Sequence, residues 1–307
     1  MQASPQPQAP PIDVLILTYN GGSYLHPQLT SIAEQLEPGD RIIVSDDGST
    51  DDTLRILQEF QQTYLKENVE LLVYQGPGKG VIQNFFSGIQ HTKAEYTFIA
   101  DQDDVWLPGK RQLFAKQMQC SSKPHLIFSD AWLWNSLDTN TDTSFWQQQK
   151  INPSHARQLS TLIFRNTVQG ASMAINRALI ERISLHPDIV MHDWWCALHA
   201  NAFGSISIIF EPTLLYRQHD ANQIGALRKR TVREKRDASQ KIFAQARAFR
   251  TILPQQHPSK AMLDSFNDAC SKGLLRRALF LLQYRPKRVN VLKSITLWAS
   301  ILFNSKT

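Results

Sequence analysis

Phe98-Ile-Ala-Asp-Gln-Asp-Asp-Val-Trp106 runs an apolar segment straight into three carboxylates, Asp101, Asp103 and Asp104. Like charges this close repel and shift one another's ionisation unless a cation sits among them. Hard divalent ions such as Mg²⁺ or Mn²⁺ take oxygen ligands, often one or two carboxylates together with the phosphates of a substrate. In α/β proteins ligands bind beyond the C-terminal ends of the strands. The competing reading is a solvated acidic turn that caps a helix starting near Pro108, and this stretch alone does not choose between them.

The flanking sequence places the stretch in a repeating pattern. Ile12-Asp-Val-Leu-Ile-Leu-Thr18, Arg41-Ile-Ile-Val-Ser45, Val69 to Tyr74 and Tyr96 to Ala100 are short apolar or β-branched runs that read as strands. Helical patterns lie between them. One stops at Pro38-Gly39, one carries Leu54, Leu57 and Phe60 on one face, and one follows the loop Gly76-Pro-Gly-Lys-Gly80 with Val81, Phe85 and Ile89 in register. Strands alternating with helices indicate βαβ units, hence an α/β fold with a mainly parallel central sheet. Right-handed crossovers then bring three loops to one rim: Thr18-Tyr19-Asn20, Asp46-Asp47-Gly48-Ser49 and Asp101 to Asp104.

Beyond residue 120 the pattern is less regular. Leu126 to Asp130 and Gly170 to Ile175 read as strands, and residues 131–158, with Trp132, Trp134 and Trp146, as a loop. His192-Asp-Trp-Trp195 opens a helix to about Phe203. Ile206 to Phe210 and Thr213 to Tyr216 read as two short strands leading into Arg217-Gln-His-Asp220.

Charge divides the chain. Residues 226–307 carry 18 Lys+Arg against 4 Asp+Glu, whereas the preceding residues carry 15 against 23. A mildly acidic body with a basic tail suggests an anionic partner for the tail. Within the tail, Leu274, Leu275, Ala278, Leu281 and Leu282 share one helix face, and Val291, Leu292, Ile295, Trp298, Ala299 and Leu302 another. Basic residues lie around both, the pattern of amphipathic helices at an anionic membrane surface; packing of both stripes on the body is the competing reading. Residues 1–11, rich in Pro and Gln, read as a disordered lead-in rather than a signal peptide. No apolar run approaches the roughly 18–20 residues of a membrane span. Cys120, Cys196 and Cys270 are widely spaced, so they read as reduced thiols in a cytosolic protein rather than a disulfide or zinc framework. The loop at 76–80 lacks the GxxxxGK[ST] spacing of a phosphate-binding P-loop, and no GxGxxG follows the first strand.

The motifs TYN at 18–20, SDDGSTDDT at 45–53, ADQDDVWLPGK at 100–110, HDWW at 192–195 and YRQH at 216–219 occur in an order and spacing that resembles inverting family 2 glycosyltransferases. More narrowly, the chain is similar to the rhamnosyltransferase-like members that build bacterial surface polysaccharides. The resemblance covers about residues 12–225. It implies a GT-A fold, a Rossmann-like nucleotide-diphospho-sugar transferase architecture, with a nucleotide-binding half at 12–120, an acceptor-binding half at 121–225 and the basic helical tail at 226–307.

The resemblance also implies roles. Asp47 would face the nucleotide base, where a carboxylate accepts the N3–H of uracil or thymine, with Thr18, Tyr19 and Asn20 lining the base and ribose pocket. Asp101 would reach the ribose, and Asp103 would hold Mg²⁺ or Mn²⁺ against the diphosphate. Asp104 would face the donor sugar or only cap the next helix. Asp193 would be the catalytic base, kept ionised by its helix N-terminus. Of Trp194 and Trp195, one is expected in the core and one as a sugar platform. His219 would bind metal or diphosphate, Arg217 would pair with phosphate oxygens, and Lys79 would help hold the donor.

The implied reaction moves a sugar, on resemblance L-rhamnose from dTDP-L-rhamnose, onto a lipid-linked glycan of the O-antigen type at the cytoplasmic face of the membrane. UDP-hexose or UDP-N-acetylhexosamine donors are the alternatives within the fold. An aspartate-nucleophile phosphohydrolase would carry its acidic pair after the first strand, not the fourth. A non-enzymatic binding module would rest on the basic tail alone, and the acidic body argues against nucleic acid as the partner.

Overall fold

The computed structural model describes residues 10–65, 67–134, 142–218, 231–286 and 291–303. Most of the expected lead-in, the start of the basic tail and His219 lie outside the described residues.

β1 (Ile12–Thr18), β2 (Arg41–Asp46), β3 (Glu70–Gln75) and β4 (Tyr96–Asp101) alternate with α1 (Gly22–Ala33), α2 (Thr53–Thr63) and α3 (Val81–Gly88). These strands pair in parallel in the order β3-β2-β1-β4. In register, Thr18 lies opposite Asp46 and Leu17 opposite Asp101, so three strand ends finish at one level. β1 is buried on both faces, as a central parallel strand must be. Val14 and Ile16 pack with Leu25 and Leu29 of α1 and Leu57 and Phe60 of α2, whereas Leu15 and Leu17 pack with Phe85 and Phe86 of α3. Truncating a fully buried leucine such as Leu15 to alanine costs about 2–5 kcal/mol.

The rest of the sheet comes from β5 (Val105–Trp106), β6 (His125–Trp134), β7 (Met173–Asn176) and β8 (Ser205–Arg217). The eight described strands run β3-β2-β1-β4-β7-β6-β8-β5. The sheet is parallel through β4 and mixed beyond it. β7 is antiparallel to β4 and β6, β8 is parallel to β6, and β5 is antiparallel to β8. Between these strands lie α4 (Lys110–Ala115), α5 (Phe145–Gln149), α6 (Leu159–Leu162), α7 (Arg177–Arg182) and α8 (His192–Phe203).

Two sequence expectations change here. The two short strands expected at 206–210 and 213–216 are one strand, β8, paired with β6 across register shifts at Asp130, which lies opposite Pro212. A proline lacks the ladder N–H and is accommodated at such a bulge. The stretch at 131–158 is not all loop: β6 continues to Trp134, and Trp146 on α5 is buried against Phe128.

The tail folds as α9 (Val232–Ile252), α10 (Lys260–Ser271), α11 (Leu274–Tyr284) and α12 (Val291–Phe303). Phe249 of α9 packs edge-on to Trp195 at 5.7 Å between ring centroids, and Phe266 of α10 meets Phe164 at 5.1 Å. One face of the tail therefore joins the core of the body. Leu274, Leu275, Leu279 and Leu282 of α11 remain exposed. No helix of the described residues is long and apolar enough to cross a membrane.

Candidate active site

Aspartates at the two rims of the parallel sheet differ in their partners. At the N-terminal rim, buried Asp13 accepts both arms of the Arg41 guanidinium and the backbone N–H groups of Lys93 and Ala94. Buried Asp40 accepts from Arg111 and from the backbone of Ile12 and Glu37. These carboxylates are fully used in holding the fold. At the opposite rim Asp47, Asp101 and Asp103 line a cleft of about 760 Å³, a size suited to a small-molecule ligand.

One wall of the cleft is the pair of loops after β1 and β2. Asp46 accepts from the Thr18 hydroxyl at 2.7 Å and the Ser49 hydroxyl at 2.6 Å, locking both turns. Asn20, at φ 50°, donates its N–H to Ser49 Oγ and accepts from the Thr50 N–H. Asp47 lines the cleft and accepts the backbone N–H groups of Gly78 at 2.8 Å, Lys79 at 3.3 Å and Gly80 at 2.6 Å. Gly80 stands at φ 88°, a conformation open to glycine and strained for other residues. Asp47 thus folds the loop after β3 over the cleft. Lys79 contributes its backbone to this wall; its side chain is exposed and does not line the cleft. Tyr19, 59% exposed at the mouth, is clamped to Gln102 by paired hydrogen bonds of 2.9 and 3.1 Å.

The acidic cluster reaches the cleft through Asp101 and Asp103. Asp101, Asp103 and Asp104 each offer a carboxylate oxygen within 4.8 Å of the others. The Lys110 side chain is buried beneath them. Its ammonium donates to the Ala171 carbonyl at 3.0 Å and lies 4.6 Å from the Trp106 ring centroid. Burial drives its pKa down to about 7 against the pull of Asp104 and Asp101. Burial, then repulsion from Asp103 and Asp193, pushes Asp101 up to about 7, and Asp104 is raised by burial and by its two acidic neighbours. Asp104 Oδ2 is buried with no hydrogen-bond partner. Such a cluster holds more carboxylate than Lys110 balances, and an orphaned buried oxygen completes a hard-oxygen donor set. The residues present fit a divalent cation.

Asp104 does not cap α4, whose N-cap is Gly109, and it does not line the cleft. It sits under the cluster, accepting the Arg217 backbone N–H at 3.1 Å. Arg217, expected as a phosphate partner, has structural contacts of its own. Its Nε–H donates to the Asp103 carbonyl at 2.8 Å, and its guanidinium lies over Trp134 at 4.1 Å and Tyr24 at 5.0 Å. It braces the acidic loop from beneath and lies outside the cleft lining.

Asp193, in the first turn of α8, lines the same cleft and its charge helps raise the pKa of Asp101. Its carboxylate accepts from Asn166 Nδ2 at 3.0 Å and from the backbone N–H groups of Trp194 and Gly170. The helix N-terminus does not keep it ionised as the sequence suggested. Burial outweighs these donors and raises the pKa to about 7. That value suits a general base working near neutrality. Neither following tryptophan is a sugar platform. Trp194 and Trp195 are 5% and 1% exposed, and their indole N–H groups donate to the Leu162 and Ser184 carbonyls. Consecutive residues on a helix cannot both share Asp193's face, and both here point into the core.

Of the residues expected at the site, Thr18, Tyr19, Asn20, Asp47, Asp101, Asp103 and Asp193 line one cleft. Sequence reading missed Lys110, Gln169 and His192. Lys110 ends the motif already quoted, and a lysine spaced to fold back under three aspartates was the available signal. His192 opens the HDWW motif already quoted, whereas Gln169 carried no signal.

A family model described as glycosyl transferase family 2 matches residues 13–183. The dTDP-rhamnosyl transferase RfbG of Shigella flexneri is 30% identical over 223 residues, covering 68% of this chain and 73% of that protein. Among solved structures, S. aureus TarS 1-349 in complex with UDP-GlcNAc superposes with a TM-score of 0.60 at 16% identity, covering 96% of this chain and 89% of that one. The mannosyltransferase PcManGT from Pyrobaculum calidifontis, in complex with GDP-Man and Mn²⁺, gives 0.56 at 18% identity, covering 99% and 91%. The shared architecture is GT-A.

Proposed function

Because this chain belongs to glycosyl transferase family 2, we propose that it transfers a sugar from a nucleoside-diphosphate donor with inversion, using a divalent cation at the acidic cluster and Asp193 as base. The observation that supports this reading is that Asp101 and Asp103 at the end of β4 and Asp193 on α8 line one cleft.

The mechanism follows from what each group is able to do. The Asp47-ordered loop and the Thr18–Asn20 turn receive the nucleoside. Asp103, with Asp101 and Asp104, would hold Mg²⁺ or Mn²⁺. That ion supplies Lewis-acid neutralisation of the charge that grows on a departing diphosphate. Arg217 and Lys110 keep the acidic loop in place. Asp193, ionised, takes the proton of the acceptor hydroxyl. The acceptor oxygen forms its bond to the anomeric carbon as the bond to the diphosphate oxygen breaks on the opposite face, giving inversion. A base with a pKa near 7 is half-ionised at neutral pH and strong enough to take a proton as the nucleophile attacks.

The relative named a dTDP-rhamnosyl transferase supports dTDP-L-rhamnose as donor. A lipid-linked glycan is the acceptor class that suits the tail. The exposed leucines of α11 share the helix with Arg276 and are followed by Arg285, a combination that favours an anionic lipid surface. The test is a panel of nucleotide sugars with Mn²⁺ or EDTA, scored by release of nucleoside diphosphate. Release from dTDP-L-rhamnose only with metal is expected; release from none of the panel contradicts the reading.

A further inference from the structure

We propose that Gln102, the residue between the two cleft aspartates, is a positioning residue whose side-chain amide fastens the Tyr19–Asn20 turn to the acidic loop and so presets the nucleoside-receiving turn for the donor. This rests on the transferase reading above and adds to it a link between the loop that receives the nucleoside and the loop that would hold the cation.

The link begins where the β-ladder ends. β1 and β4 pair in parallel as far as Leu17 opposite Asp101. Past that point the Asp101 carbonyl accepts from Gln28 Nε2 at 2.7 Å, and the chain turns away. The Tyr19 backbone is paired instead by a side chain. Gln102 Oε1 accepts the Tyr19 N–H at 2.9 Å, and Gln102 Nε2 donates to the Tyr19 carbonyl at 3.1 Å. One amide thus does for Tyr19 what a further backbone residue of β4 would do. From the β2 side, Ser49 and Thr50 bind Asn20, and Thr53 Oγ1 accepts the Gly21 N–H at 2.9 Å. The turn is therefore tied to both neighbouring loops, and Gln102 supplies the tie on the side of the acidic cluster.

Gly21 gives an independent sign of the same device. Its φ of −100° is open to any residue, so the backbone does not call for glycine. A Cβ on Gly21 would instead overlap the Oε1 and Cδ atoms of Gln102. The missing side chain leaves the room that the Gln102 amide occupies.

Packing does not hold Tyr19 in place, because the residue is 59% exposed. Its position is set by hydrogen bonds. Tyr19, Asn20, Asp101, Gln102 and Asp103 all line the cleft, so a turn fastened in advance spares the donor the cost of ordering it.

The test is a double-mutant cycle in the full chain: Gln102→Ala, Gly21→Ala and the two combined. The ligand is whichever of dTDP, UDP and GDP the wild-type protein binds best with Mn²⁺, measured by calorimetry. Each single variant should weaken that binding about tenfold, since Gly21→Ala pushes the flexible Gln102 side chain off Tyr19. Donor KM should rise in step with kcat unchanged, and the Tm should stay close to that of the wild type. In the combined variant the new methyl group has room, so its affinity should equal that of Gln102→Ala alone. In the ligand-free protein, amide exchange at Tyr19, followed by NMR, should be about fivefold faster in both single variants. Additive losses in the combined variant would show that Gly21 acts apart from Gln102 and would overturn the link. Weakened binding with unchanged exchange at Tyr19 would make Gln102 a direct ligand contact, and a lowered Tm and kcat with affinity intact would make it a structural residue; either result overturns the proposal. Failure of the wild-type protein to bind any of the three nucleotides overturns instead the transferase reading on which it rests.

Discussion

Arg217 donates its Nε–H to the carbonyl oxygen of Asp103 at 2.8 Å, so the last residue of β8 holds the loop at the end of β4 that carries the acidic cluster. The backbone N–H of the same arginine binds Asp104, and its guanidinium is stacked on Trp134. A lysine preserves the charge but neither the stack nor the fixed fork. Arg217→Lys is expected to weaken Mn²⁺-dependent binding of the donor nucleotide about tenfold while leaving the fold intact, measured by calorimetry and circular dichroism.

Asp47 organises the loop after β3 through three backbone N–H groups. Asp47→Ala leaves these donors without their acceptor, at a cost of about 1–3 kcal/mol. A lowered Tm together with weakened nucleotide binding is the expected outcome. A normal Tm with only nucleotide binding lost would mean that the carboxylate serves the base alone.

The pKa of Asp193 gives a pH signature with a definite sign. Burial raises it from the ordinary carboxylate value to about 7, so below that pH the base is protonated and idle. With Mn²⁺ saturating, kcat/KM should rise between pH 5.5 and 8 with a midpoint near 7. Stability runs the other way. A carboxyl whose pKa is raised on folding contributes stability below its unfolded pKa of about 4, and that contribution is lost as pH rises through about 7. Asp193→Asn titrates nowhere in this range, so its Tm advantage over the wild type should grow between pH 4 and 8.

The exposed face of α11 makes a separate prediction. Leu275 and Leu282 are 75% and 68% exposed, so replacing them with glutamate should leave the Tm unchanged. Co-sedimentation with vesicles containing phosphatidylglycerol should fall sharply in Leu275→Glu/Leu282→Glu. Equal sedimentation of variant and wild type would remove the lipid surface as the partner of this face.

What the sequence reveals depends on how local the determining physics is. β1, β2 and β4 are legible because a strand buried on both faces is an uninterrupted apolar run, and the turn residues after each mark the rim where the cleft forms. β8 is not legible as one strand, because Glu211-Pro212 looks like a break until its bulged pairing with β6 is seen. The antiparallel direction of β7 is likewise set by partners distant in sequence. At the site, aspartates announce themselves by clustering. Trp194 and Trp195 mislead, because an aromatic beside a catalytic motif is indistinguishable in sequence from one in the core. Gln169 is an ordinary residue in sequence, and only the fold brings it to the cleft.

The central claim is that the cluster at Asp101–Asp104 and the base at Asp193 divide one reaction between them. The most direct measurement follows nucleoside diphosphate release and donor binding in parallel for wild type, Asp103→Asn and Asp193→Asn, each with Mn²⁺ and with EDTA. The account predicts that Asp103→Asn and EDTA both abolish donor binding and release, whereas Asp193→Asn binds donor with Mn²⁺ as tightly as wild type and transfers at least 100-fold more slowly. Undiminished transfer by Asp193→Asn, or full activity in EDTA, would contradict it.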